Sequence, residues 1–193
     1  MGISKKRIVC LVIKPPGKRD DDPVTDRGGA MVGFKLDEIM TGSHAFTDSR
    51  MDKEKEAPLL FHITWGNPSL FRFFNPFSSR FLFNEARGFI TVGGLVNKAP
   101  CAGTLRLLYF TERKIRYELK FNDAAGKNYL YVGEKRNIWP WNLYRNHVTC
   151  YGTITDLETN QIISESVIYF PYRQTPAFLL SFRLRLGGVF KTN

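Results

Sequence analysis

Residues 114–135, KIRYELKFNDAAGKNYLYVGEK, constrain the fold more than any other stretch of this chain. Ile115, Tyr117, Leu119 and Phe121 alternate with Arg116, Glu118 and Lys120. An Asp-Ala-Ala-Gly turn follows, and then a second extended run from Tyr129 to Val132. Period-two alternation ended by Asp and Gly is the pattern of a β-hairpin with one apolar face. That face has to be covered, and the chain offers few helices to cover it. A sheet that curls onto itself meets the requirement.

The rest reads as strand after strand. Val32 to Phe46 contains Phe34, Leu36 and Glu38, then Met40 and a Gly42 that marks a bulge or bend. Leu59 to Trp65, Arg87 to Gly94, Thr104 to Phe110, Lys114 to Phe121 and Asn128 to Glu134 follow. His147 to Asp156 and Gln161 to Phe170 form another hairpin, joined at Leu157 to Asn160. Ile138 to Leu143, IWPWNL, is an aromatic connection in which Pro140 discourages ladder pairing. Thr175-Pro176 has the form of a helix N-cap followed by proline, so a short helix is expected from Pro176 to about Leu186. These elements predict an all-β fold, a closed antiparallel up-and-down barrel of about eight to ten strands with a short C-terminal helix. The barrel is expected over residues 31–193. Residues 1–30 read as a basic arm and a linker rich in Pro, Gly and charge.

The hairpin gives a first expectation about the interior. If Asn122 lies opposite Lys127, then Tyr117 faces Val132 and Leu119 faces Leu130, apolar against apolar. The same register sets Ile115 opposite Glu134 and turns Glu134 toward the apolar face. A carboxylate among apolar groups needs a partner or a proton. Arg106 or Arg136 can supply the charge, and Glu134 is then either the polar anchor of a ligand cavity or one half of an ion pair at the barrel end. A slip of one residue would reverse the assignment.

Motifs for covalent chemistry are missing. There is no GxSxG elbow, GxGxxG or Walker loop. Ser43 and His44 are neighbours in a strand and point to opposite faces, so they cannot pair as nucleophile and base. His44, His62 and His147 supply no local ligand pair, and no metal or cofactor is expected. Cys10, Cys101 and Cys150 lie far apart without CxxC spacing, which fits a reducing, cytoplasmic setting. The apolar run Ile8 to Ile13 is too short for a signal core or a membrane span.

A net charge of +10 favours an anionic partner. Nucleic acid is disfavoured: Arg87-Gly88-Phe89 opens like an RNP1 strand, but Ile90 and Thr91 break the match. The other departure from a plain barrel is the run from Leu70 to Phe83, where Phe71, Phe73, Phe74 and Phe77 cluster with Arg72 and Arg80. Such a run is a lid, a plug for the barrel end, or a wedge that meets an anionic membrane or a partner.

Glu38-Ile39-Met40-Thr41-Gly42, the IRYELKF strand with its NDAAGKNYLYVGEK continuation, and HVTCYGTIT from His147 to Thr155 carry a specific likeness. Over about Gly33 to Leu184 the chain resembles a β-barrel module that bacteria fuse to cholesterol-oxidase-like flavoproteins of the glucose–methanol–choline oxidoreductase family. The resemblance implies a lipocalin- or calycin-like barrel, a link to sterol or lipid metabolism, a flavin-dependent oxidoreductase as partner, and no catalytic residues in this chain. The GxW of true lipocalins is absent.

The expected function is therefore non-catalytic binding of a hydrophobic small molecule, a lipid or sterol-like compound. Phe34, Leu36, Trp65, Tyr117, Leu119, Val132 and Trp141 are the expected lining and Glu134 the anchor. An enzyme using an inward acid in the same cavity is the alternative. A scaffold or membrane-surface module peripheral to a membrane, working through the Phe-rich loop, is the third reading.

Overall fold

In the computed structural model, residues 32–47, 56–139, 148–171, 176 and 180–186 are described. The N-terminal arm, Trp141 and His147 lie outside them. Among them the elements run in the order β1 (Val32–Phe46), β2 (Ala57–Asn67), α1 (Leu70–Phe74), β3 (Phe83–Val92), β4 (Val96–Leu108), β5 (Lys114–Asn122), β6 (Asn128–Lys135), β7 (Thr149–Asp156), β8 (Gln161–Tyr169) and β9 (Arg183–Leu186). Every pairing is antiparallel, and β2 to β8 follow one another in chain order around the sheet.

The long first strand closes the cylinder. One edge of β1 pairs with β2 from Phe34 to His44. Its other edge pairs with β8 from Thr41 to Phe46 and with β9 from Val32 to Lys35. The result is a closed eight-stranded up-and-down barrel, with β9 taking over the edge of β1 where β8 leaves it. Between the two ladders, Leu36 to Met40 has no strand partner on that edge among the described residues. Ser181 bridges the gap in part, its hydroxyl accepting a hydrogen bond from the Asp37 N–H at 2.9 Å.

The C-terminal helix is shorter than the sequence suggests. Pro176 and Leu180 are helical, but Arg183–Leu186 is strand β9. The free edge of β1 offers these residues a ladder, and tertiary pairing overrides the local proline signal.

The hairpin register differs from the expectation by one residue. Asn122 lies opposite Asn128, so Tyr117 faces Gly133, Leu119 faces Tyr131 and Ile115 faces Lys135. The cause is the turn. The Asp123 carboxylate accepts hydrogen bonds from the N–H groups of Ala125 and Lys127, and Gly126 adopts a φ of +87°. This Asx-type loop takes Lys127 into the turn and lengthens it by one residue. Every side chain of β6 then changes face. Tyr129, Tyr131 and Lys135 point inward, while Val132 and Glu134 point out.

The interior is filled by the protein's own side chains. Phe61, Met40, Ile63, Ile90, Leu105, Ile115, Tyr117, Leu119, Phe121 and Tyr131 all lie fully buried within one continuous core. Tyr131 spans the middle. Its ring packs at 5.8 Å from that of Phe61 and lies over Gly133 and Gly152, which pair across β6 and β7. A Cβ at Gly152 would stand 2.6 Å from the Tyr131 ring, so glycine at this position makes room for the tyrosine.

The end of the barrel away from α1 is closed by polar pairing. Lys127 bonds Asp156, which also accepts from the Glu158 and Thr159 N–H groups, and its carboxyl is held at about 2. The buried His44 ring lies 2.7 Å from the Ser164 hydroxyl at Nδ1 and 3.0 Å from the Gly93 carbonyl at Nε2. Burial lowers the pKa of His44, with the Gly93 hydrogen bond opposing it. The unfolded chain then binds a proton that the folded chain refuses. The stability His44 supplies is full above the unfolded value and is lost as pH falls through the lower folded one. His44→Gln is expected to flatten the loss of stability between about pH 7 and 5, read by urea unfolding across that range. An unchanged slope would assign the loss to other groups.

Candidate functional site

A buried polar cluster lies at the α1 end. Alternation along β1 sends Phe34, Leu36, Glu38 and Met40 inward, and Glu38 is buried there. Lys135, turned inward by the hairpin register, places its Nζ 2.8 Å from Glu38 Oε1. The Tyr117 hydroxyl donates to both carboxylate oxygens at 3.0 and 3.2 Å, and the Trp65 indole N–H donates to Oε2 at 3.0 Å. One carboxylate is thus held by three donors from β2, β5 and β6. Lys135 and Glu38 are only 1% and 4% exposed at their side chains, so water does not solvate the pair. The ammonium also faces the rings of Tyr117 at 5.3 Å and Phe170 at 5.8 Å, a cation–π arrangement.

The phenols respond to this enclosure. Burial, with the Glu38 charge second, raises the pKa of Tyr117 well above its ordinary value. The same two causes push Tyr109 up to about 12. Both are neutral at physiological pH, and Tyr117 donates its hydrogen bond to Glu38. Burial likewise pushes the Cys150 thiol up to about 12, which removes it as a nucleophile.

An aromatic layer lies over the cluster. Phe34 meets Trp65 edge-on at 6.0 Å and Phe73 at 5.0 Å, and stacks with Phe182 at 6.1 Å. Helix α1 supplies Phe73. Ser69 caps the helix, its hydroxyl accepting from the Arg72 N–H. In that helical turn Phe71 and Phe74 share a face and Phe73 lies across from them. Phe73 is accordingly buried, whereas Phe71, Arg72, Phe74 and Phe77 remain exposed. The expectation that Phe73 contacts a membrane or partner is corrected: it plugs the barrel end.

Phe34, Trp65, Tyr117 and Leu119 point into the barrel and are buried, and Leu36 is half-buried against the core. Trp141 lies outside the described residues. Val132 and Glu134 are outside the barrel wall, where with Arg136, Tyr151 and Glu165 they border a depression of about 570 Å³. Glu134 is a surface ion-pair centre: Lys114 lies at 2.9 Å, Arg136 at 3.2 Å and Arg116 at 3.6 Å. Against partial burial, Lys114 and then Arg136 hold its carboxyl below the usual range. The inward acid is Glu38 instead, and Glu134 is neither an anchor nor a proton donor inside the barrel. Ser43 and His44 do fall on opposite faces of β1. The histidine's actual neighbour, Ser164, is fully buried and out of reach of a substrate.

Family models, curated proteins and solved structures were all compared with this chain, and none matches it. Among the described residues no group of His, Cys, Asp and Glu side chains is placed to hold a metal ion. The Glu38 cluster combines an ion pair, a phenol and an indole in one buried place.

Proposed function

We propose that the protein binds a lipid or sterol-like amphiphile without covalent chemistry, and that the guest sits at the aromatic end instead of in the middle of the barrel. The supporting observation is a buried Glu38–Lys135–Tyr117–Trp65 cluster directly beneath Phe34, Phe73 and Phe182. Such an arrangement offers polar groups for a ligand's head beside rings for its apolar body. Affinity comes from apolar area removed from water, at roughly 25 cal/mol per Å² before the costs of association. Phe182, half exposed and stacked on Phe34, is the ring that moves aside most cheaply.

The test is organic extraction of the purified protein followed by mass spectrometry, together with melting curves against fatty acids and sterols. A bound amphiphile is expected, with a melting temperature that rises with its concentration. Phe182→Ser is expected to weaken that rise without unfolding the barrel. Recovery of no ligand, with flat melting curves across the panel, would overturn the reading.

A further inference from the structure

The α1 end carries a second set of aromatic side chains that neither the core nor the Glu38 cluster uses. Phe71, Phe77 and Phe110 are 80%, 96% and 80% exposed, and Phe74 and Leu180 also stand largely in water. They come from α1, the turn after it, the β4–β5 turn and the segment before β9, so four separate pieces of chain place apolar tips at one end. Among the described residues these tips protrude, and Phe110 is propped by stacking on Phe81 at 6.2 Å.

Positive charge surrounds them. Arg80 and Arg106 both approach the ring of Phe83, at 5.9 and 5.6 Å. Arg106 lies directly opposite Arg116 across β4 and β5, and Arg116 is itself engaged with Glu118 at 2.8 Å and Glu134 at 3.6 Å. Arg72 sits between Phe71 and Phe73 in the helix, and Arg113 lies beside Phe110 in the turn and over the Trp139 ring at 3.5 Å. The nearby carboxylates are matched already: Glu85 with Arg80, and Glu112 with Lys114.

We propose that this end docks on the surface of an anionic lipid bilayer. Phe71, Phe74, Phe77 and Phe110 enter the headgroup–acyl boundary, and Arg72, Arg106 and Arg113 bind lipid phosphates. A bilayer suits the geometry better than a protein does. Protruding tips on separate loops need a deformable acceptor, and the cations among them need anions in every direction. Docking stands apart from amphiphile binding, because it uses the exposed rings and leaves the Glu38 cluster untouched.

The experiment is co-sedimentation of the full chain with vesicles of phosphatidylcholine, and of phosphatidylcholine mixed with phosphatidylglycerol. Binding is expected to the anionic vesicles, to weaken with salt, and to be far weaker on the neutral ones. Phe71→Ser with Phe77→Ser is expected to lower it about a hundredfold, tenfold or so for each ring, at an unchanged melting temperature. Arg72→Glu is expected to lower it with the rings intact, and Phe182→Ser to leave it unchanged. No association with either vesicle overturns the proposal, as does association that the double variant retains. A dimer in solution that Phe71→Ser with Phe77→Ser converts to monomer, without vesicle binding, also overturns it and gives the end to a second copy of the chain. None of these outcomes depends on ligand extraction, so failure here and failure of the ligand reading remain separate results.

Discussion

Replacing Lys135 with methionine is expected to lower the unfolding free energy by about 3–5 kcal/mol. The substitution keeps the length and apolar stem of the side chain and removes only the ammonium. Glu38 then remains as a buried anion with Tyr117 and Trp65 as donors and no opposing charge. The penalty is for the charge left behind and is not the net worth of the pair, so the partner change should rescue it. Glu38→Gln combined with Lys135→Met is expected to recover most of the loss, since the amide oxygen still accepts from the indole and the phenol. Urea unfolding followed by tryptophan fluorescence reads both variants. A cost below about 1 kcal/mol for Lys135→Met would mean that water reaches the pair and that the end of the barrel is open.

Tyr131→Ala is expected to cost about 3–5 kcal/mol as well, by a different mechanism. Here the loss is of packing: the ring fills the space between Phe61 and the Gly133–Gly152 pair. Its hydroxyl contributes little, because its neighbour Cys150 Sγ lies 3.7 Å away, so Tyr131→Phe should be nearly neutral. The alanine variant should also acquire a dry apolar cavity that takes up a small aromatic probe, which the parent barrel does not. Adding Gly152→Ala to Tyr131→Ala should then be tolerated, whereas Gly152→Ala alone forces the ring to shift and costs about 1–3 kcal/mol. A parent protein that binds the probe as well as the alanine variant does would show that the barrel is hollow.

Much of the architecture was legible because period-two alternation is strong where one face is buried. Val32–Phe46 was readable at both ends, and the Gln161 strand was readable to within a residue. The interior of the site was not. Strand β6 carries apolar residues on both faces, Leu130 and Val132 on one and Tyr129 and Tyr131 on the other. Matching apolar with apolar therefore could not choose between two registers, and the choice fell to the number of residues in the Asp123 loop. That single residue exchanged Glu134 for Lys135 as the inward charge. Glu38 carried a usable signal, since it shares the alternation of Phe34, Leu36 and Met40. It became recognisable as the centre of the cluster only once Lys135 was known to face it. The exposed tips at Phe71 and Phe77 were visible as composition. The burial of Phe73 between them required the phase of a five-residue helix, which Ser69 sets.

Closure through the first strand has a consequence for how the chain is made. The hairpins β2–β3 through β7–β8 can each form as soon as they leave the ribosome, because their partners are neighbours in sequence. Thr41 has to wait for Tyr169. Until the eighth strand emerges, the nascent sheet curls without a clasp, with hydrogen-bonding groups bare along β1 and along whichever strand was synthesised last. Barrels of this connectivity fold slowly for that reason. The interval before the last strand arrives is when this polypeptide is most vulnerable to pairing with a stranger.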